Sequence, residues 1–134
     1  MTTPNAAANR IVILDDDPDV LRILAVALGQ GGNAIITATD GAAALELCKV
    51  ERPHLVIVDL MMPGMDGETF LRRLALALGP DKPDVLILTA SSMRSEVARK
   101  VGVPSIAKPF DLEELRELVD QLLAGRRRRK STPP

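Results

Sequence analysis

The chain has one cysteine, one histidine, two phenylalanines and neither tryptophan nor tyrosine in 134 residues. A lone Cys48 excludes a disulfide within the chain and suits a reducing compartment. Its apolar helical surroundings make it a packing residue. With Phe70 and Phe110 as the only aromatics, the core must be aliphatic. Base stacking, on which single-stranded nucleic-acid binding depends, is therefore unavailable. Long hydrophobic runs are also missing: no stretch approaches a membrane span, and residues 1–9 lack the apolar segment of a signal peptide. A cytoplasmic location is expected, and no internal repeat stands out.

Charge of either sign is plentiful, but its placement is uneven. The net charge of −1 hides a block, Arg126-Arg127-Arg128-Arg129-Lys130, that holds five of the seventeen positive charges. Without it, twelve basic residues face eighteen acids, a net of −6. An acidic body with a short basic tail is unlike a DNA-binding domain, which spreads positive charge over a folded face. The length suits one domain able to bury roughly two-thirds of its unfolded surface.

Short apolar runs alternate with helical patterns. Strands are predicted at Ile11–Leu14, Ala34–Ala38, Leu55–Val58 and Val85–Leu88, with a weaker fifth near Val103–Ala107, whose Pro104 restricts it to the sheet margin. Asp17-Pro18 opens a helix with the stripe Val20, Ile23, Leu24, Ala27 and Leu28. Asp40 can cap a helix through Val50, and Asp66 one carrying Phe70, Leu71, Leu74 and Leu78. Met93, Val97 and Val101 form a narrower stripe. In the last helix Asp111 and Glu114 form a capping box and Phe110 and Leu115 a hydrophobic staple. Its inner face is Leu112, Leu115, Leu118, Val119 and Leu122. This alternation predicts a doubly wound α/β sheet, which binds ligands beyond the carboxyl ends of its strands. The arm 1–9 and the basic tail 126–134 are expected to be disordered around a domain at 10–125.

Three acids close predicted strands: Asp15 and Asp16 after the first, Asp59 at the end of the third. Their mutual repulsion is costly unless a proton or a cation intervenes, so a hard divalent metal with oxygen ligands is expected. Thr89 and Lys108 also fall at strand ends. A metal-binding trio, a hydroxyl and an ammonium on one edge suit phosphoryl transfer, where the transferred group's oxygens need positive charge and donors while an oxygen attacks in line.

The fragments Ile11-Val12-Ile13-Leu14-Asp15-Asp16-Asp17, Val56 to Gly67, Leu88-Thr89-Ala90 and Lys108-Pro109-Phe110 occur in order and at the right spacing to resemble the response-regulator receiver domain of two-component signalling. The likeness runs over about residues 10–124. It implies a five-stranded parallel sheet of flavodoxin-like order 2-1-3-4-5 with helices on both faces. It implies Asp59 as phosphoacceptor, and Mg²⁺ held by Asp16 directly, Asp15 largely through water, Asp59 and the backbone carbonyl of Met61. Thr89 and Lys108 would contact the phosphoryl oxygens. The donor would be a sensor histidine kinase or a histidine phosphotransfer protein, since His54, at a strand's start, lies away from the acids and has no companion. Enzymatic activity would be limited to self-phosphorylation and self-dephosphorylation. A stand-alone, chemotaxis-type switch read by a protein target is expected, with no direct DNA binding and an electrostatic contact available through Arg126–Lys130.

Other assignments are plainer. Asp17 reads as a helix cap, and Met61, Met62 and Met65 as loop packing, because thioethers suit soft metals. Ser105 stands where the family usually has an aromatic, and the Thr89–Lys108 segment is shorter than usual. A short or irregular fourth helix is expected, with the readout carried by Thr89 and residues 90–93. Met61 and Ser91 offer no group to orient an attacking water, which implies slow self-dephosphorylation. Two rival readings remain: a phosphatase resembling the haloacid-dehalogenase family with Asp15 as nucleophile, and a receiver-like binding module that is never phosphorylated.

Overall fold

The computed structural model describes residues 8–60, 67–89, 99–100 and 102–131. Within them lie strands β1 (Arg10–Leu14), β2 (Ala34–Ala38), β3 (Leu55–Asp59), β4 (Asp84–Thr89) and β5 (Ser105–Ala107). The helices are α1 (Pro18–Gly29), α2 (Gly41–Glu51), α3 (Gly67–Leu78) and α4 (Leu112–Ser131), with a 3-10 turn at Gly79–Asp81. All strand pairs are parallel and the order is β2-β1-β3-β4-β5. The chain thus winds outward in both directions from β1 and β3, opening a crevice beyond their carboxyl ends.

Alternation along the strands divides the core in two. Val12, Leu14, Val56, Val58 and Ile87 pack with Ala44 and Cys48 of α2 and with Phe70, Leu71, Leu74 and Leu78 of α3. Ile11, Ile13, Leu55, Ile57, Leu86 and Leu88 pack with Leu21, Leu24 and Leu28 of α1 and with Leu115, Val119 and Leu123 of α4. Helices therefore cover both faces, which is why the central strands carry no polar side before their last residues. Each fully buried aliphatic side chain contributes about 1.5–3 kcal/mol relative to exposure.

Local signals end the elements as the side-chain chemistry dictates. Asp17 accepts from Asp19 N at 2.9 Å and Asp40 from Ala43 N at 2.8 Å, each satisfying an otherwise orphaned first-turn donor. Asp111 Oδ1 accepts from Glu113 N at 2.8 Å at the start of α4. Pro104 immediately precedes the edge strand β5, and its carbonyl accepts from Ile87 N at 3.0 Å. The cap expected at Asp66, the stripe Met93, Val97 and Val101, and the methionine packing at Met61, Met62 and Met65 lie outside the described residues.

Three expectations are corrected. In α1 the buried line is Leu21, Leu24 and Leu28, while Ile23 is 54% exposed. In α4 Leu123 joins Leu115 and Val119, whereas Leu112 is exposed. Leu24 and Leu28 in α1, and Leu115 and Val119 in α4, are buried on the expected stripes, with Val20, Leu118 and Leu122 partly buried against the core; only the flanks differ, because neighbouring leucines and valines satisfy the same period. The basic block is not a disordered tail from Arg126 onward: α4 continues through Ser131. Arg126 and Arg129 both pair with Asp84 at the start of β4, which gives the last turns a tertiary anchor.

Candidate functional site

Register places the chemistry. Leu14 pairs with Val58, Asp59 with Leu88, and Thr89 with Ala107, so the residues that end or follow β1, β3, β4 and β5 lie along one edge. Backbone bonds lock these ends together. Asp15 N donates to Ala38 O at 3.2 Å, Leu60 N to Leu88 O at 3.3 Å, and Lys108 N to Thr89 O at 2.6 Å. Asp15, Asp59 and Thr89 are the buried polar residues of the described chain, at 1, 5 and 2% exposure. Asp16, next along, is open to solvent.

One carboxylate oxygen from each of Asp15, Asp16 and Asp59 lies within 4.8 Å of the others. Lys108 Nζ reaches across the edge to Asp59 Oδ2 at 3.2 Å and Asp15 Oδ2 at 3.3 Å. Asp17, read from the sequence only as a cap, also donates its backbone N–H to Asp15 Oδ1 at 2.9 Å. That bond is legible in principle, since an aspartate followed two residues on by a free amide forms a local turn. The Lys108-Pro109 peptide is cis.

Burial is the largest influence on Asp15 and raises its pKa; Asp59 adds to this, while the Asp17 amide and Lys108 oppose it. For Lys108, burial alone would favour the neutral amine, but the charges of Asp59 and Asp15 together outweigh it and hold the ammonium more firmly. Among the described residues, one ammonium thus pairs with two of the three clustered acids. A hard divalent ion with oxygen ligands fits that set, and Asp15, Asp16 and Asp59 would hold it. The fourth expected ligand, the Met61 carbonyl, lies outside the described residues, as does the readout loop 90–93. His54 sits at the other end of the strands, where its Nδ1 accepts from Arg10 N at 2.9 Å.

The family model for the response regulator receiver domain matches residues 11–120. The chain belongs to the response-regulator receiver family. Response regulator MprA of Mycolicibacterium vanbaalenii is similar to this receiver, with 38% identity over 129 residues, 92% of this chain and 52% of the relative. Transcriptional regulatory protein PrrA of Mycobacterium tuberculosis is 38% identical over 125 residues, with the same two coverages of 92% and 52%. The chain spans about half the length of these curated relatives. The crystal structure of a CheY-like receiver domain protein from Methanospirillum hungatei superposes with a TM-score of 0.81 over 92% of this chain and 99% of its own, at 24% identity, a likeness of fold. No helix among the described residues of the receiver is long and apolar enough to cross a membrane.

Proposed function

We propose that this receiver is a switch that takes a phosphoryl group onto Asp59 from a phosphohistidine on a sensor kinase or a phosphotransfer protein. The observation that carries the reading is the convergence of Asp15, Asp16 and Asp59 within 4.8 Å, with Lys108 bonded to Asp15 and Asp59. A carboxylate oxygen of Asp59 forms a P–O bond as the donor's P–N bond breaks, and the electron pair of that bond stays with the imidazole. The product is an acyl phosphate. Mg²⁺, when bound, supplies positive charge to the phosphoryl oxygens and aligns them for attack.

The chain's own groups do the rest. Lys108 is held charged between two acids and can transfer its bonds to phosphoryl oxygens that arrive beside Asp59. Thr89, the last residue of the neighbouring strand, would donate its hydroxyl to the same group. Phosphorylation adds strong acceptor oxygens, which bias the segment after Thr89 toward a second arrangement read by a protein partner. The lone buried Cys48 suits work in the reducing cytoplasm.

The test is labelling with radioactive acetyl phosphate, with and without Mg²⁺. Wild type takes label only with the metal, and the Asp59→Ala variant takes none. Label retained by that variant but lost from Asp15→Ala would reverse the assignment in favour of the phosphatase-like chemistry. A folded wild-type chain that binds Mg²⁺ yet never takes label, even from kinases, would establish a binding module.

A further inference from the structure

Positive charge gathers at the amino edge of the sheet, at the other end of the strands from the acids. The start of β1, the connection between α2 and β3, and the last turns of α4 border an open cleft of about 1000 Å³ there. Arg10, Arg52 and His54 line it from the sheet side, and Arg126, Arg127 and Lys130 from the helix. Pro53, Leu123 and Ala124 add an apolar lining.

Two carboxylates answer part of this charge. Asp81 takes Arg52 at 3.4 Å, and Asp84 takes Arg126 and Arg129. Arg10 and Arg127 are bonded differently. Arg10 donates from Nε to Glu51 O at 2.8 Å and from Nη2 to Arg52 O at 3.0 Å. Arg127 donates to Asn9 Oδ1 at 3.4 Å. All three acceptors are neutral, so among the described residues neither guanidinium has its charge offset by an ion pair.

His54 registers the resulting field. Burial lowers its pKa most, and Arg10, Arg126 and Arg127 each lower it further. Because its Nδ1 accepts from Arg10 N, the neutral ring carries its proton on Nε2 and keeps a donor there. Concentrating several like charges costs free energy that an arriving anion recovers. A concave site of this size, partly apolar, suits a compact ligand; a duplex would need basic groups spread over a broad face.

We propose that this cleft binds a compact anion carrying adjacent phosphate groups, held by the guanidinium forks of Arg10 and Arg127 with Lys130 beside them. Arginine's planar donors match phosphate oxygens in pairs, and the apolar lining accommodates an organic group attached to the phosphates. The site uses none of the groups assigned to phosphoryl transfer, so it stands or falls separately from that reading.

The experiment uses the full chain, calorimetry and the ring NMR signals of His54, the only histidine. The probes are inorganic tripolyphosphate, ATP, a short duplex DNA and vesicles of phosphatidylcholine with phosphatidylglycerol, each at about 0.15 M salt. Expected are binding of tripolyphosphate or ATP, an upward move of the His54 titration midpoint, and about tenfold weaker binding in Arg127→Gln/Lys130→Gln, a loss of about 1.4 kcal/mol. Glutamine keeps the helix at both exposed positions. ATP bound more tightly than tripolyphosphate identifies a nucleotide; equal binding identifies the phosphate chain alone. The proposal is overturned if His54 signals stay fixed under both small anions, if the double variant binds as well as wild type, or if only DNA or vesicles bind.

Discussion

Lys108 Nζ lies 3.2 Å from Asp59 Oδ2, across a gap that separates the carboxyl ends of two strands that are not neighbours in the sheet. The same ammonium reaches Asp15, so one side chain neutralises part of the charge at the ends of both β1 and β3.

Replacing that ammonium should therefore destabilise the metal-free protein. A fully buried pair loses about 3–5 kcal/mol when one partner is deleted, and partial exposure of the lysine reduces the expectation for Lys108→Met to about 2 kcal/mol. The sign with pH follows from a raised folded-state pKa. The contribution is complete below the unfolded lysine value of about 10.4 and is lost as pH rises through the folded value. Urea unfolding in EDTA at neutral and strongly alkaline pH checks both statements; equal stability of variant and wild type at neutral pH would refute them.

Asp15 bears the opposite burden. Burial, its largest influence, raises its folded-state pKa, so its favourable contribution exists below the unfolded value of about 3.9 and disappears as pH rises through the folded value. At neutral pH the ionised carboxylate costs stability that a bound cation restores. Asp15→Asn should raise the melting temperature in EDTA by about 2–5 °C and weaken the further rise expected of wild type in Mg²⁺. Scanning calorimetry with and without Mg²⁺ decides it.

The end of α4 depends on Asp84. Arg126, only 12% exposed, and Arg129 both pair with that carboxylate at the first position of β4. Asp84→Asn should cost about 1 kcal/mol overall and release the last turns of the helix locally. Amide exchange at residues 126–130 should quicken while exchange at Leu115 and Val119 stays slow. Unchanged protection of the last turns would mean that helix propensity alone maintains them.

Gly67 opens α3 against the residue that follows Asp59. A methyl group there would lie 2.2 Å from Leu60 Cδ2, and Leu60 is itself only 9% exposed. Gly67→Ala should cost about 1–3 kcal/mol by overpacking. Adding Leu60→Ala should recover part of that loss, which a double-mutant cycle measures as coupling. Additive losses would show that the clash is relieved elsewhere.

Much of the architecture was open to sequence reasoning because a parallel sheet covered on both faces writes itself as continuous apolar runs. Ile11–Leu14 and Leu55–Val58 announce buried strands, and acids directly after such runs have only one edge of the sheet on which to emerge. Helix faces were less legible. In α1, Val20, Leu21, Ile23, Leu24, Val26 and Leu28 offer more than one acceptable stripe, and the choice belongs to the sheet surface beneath. The convergence of Lys108 on Asp15 and Asp59 could be expected from strand ends alone, but not its sharing between the two. The Asp17 N–H that orients Asp15 obeys a local turn rule, yet a residue that already explains itself as a cap draws no second reading.

Local pattern by itself determined the alternation of strands and helices, the caps at Asp17, Asp40 and Asp111, and the presence of acids, threonine and lysine at strand ends. These depend on periodicity and on hydrogen bonds between near neighbours. Tertiary structure alone decided which helical stripe is buried, how far α4 extends past Gly125, and that Arg10, His54 and Arg127 face one cleft although 44 and 118 residues separate their hydrogen-bonded partners. Electrostatic and packing terms of that kind act across space, and no local rule contains the distances on which they depend.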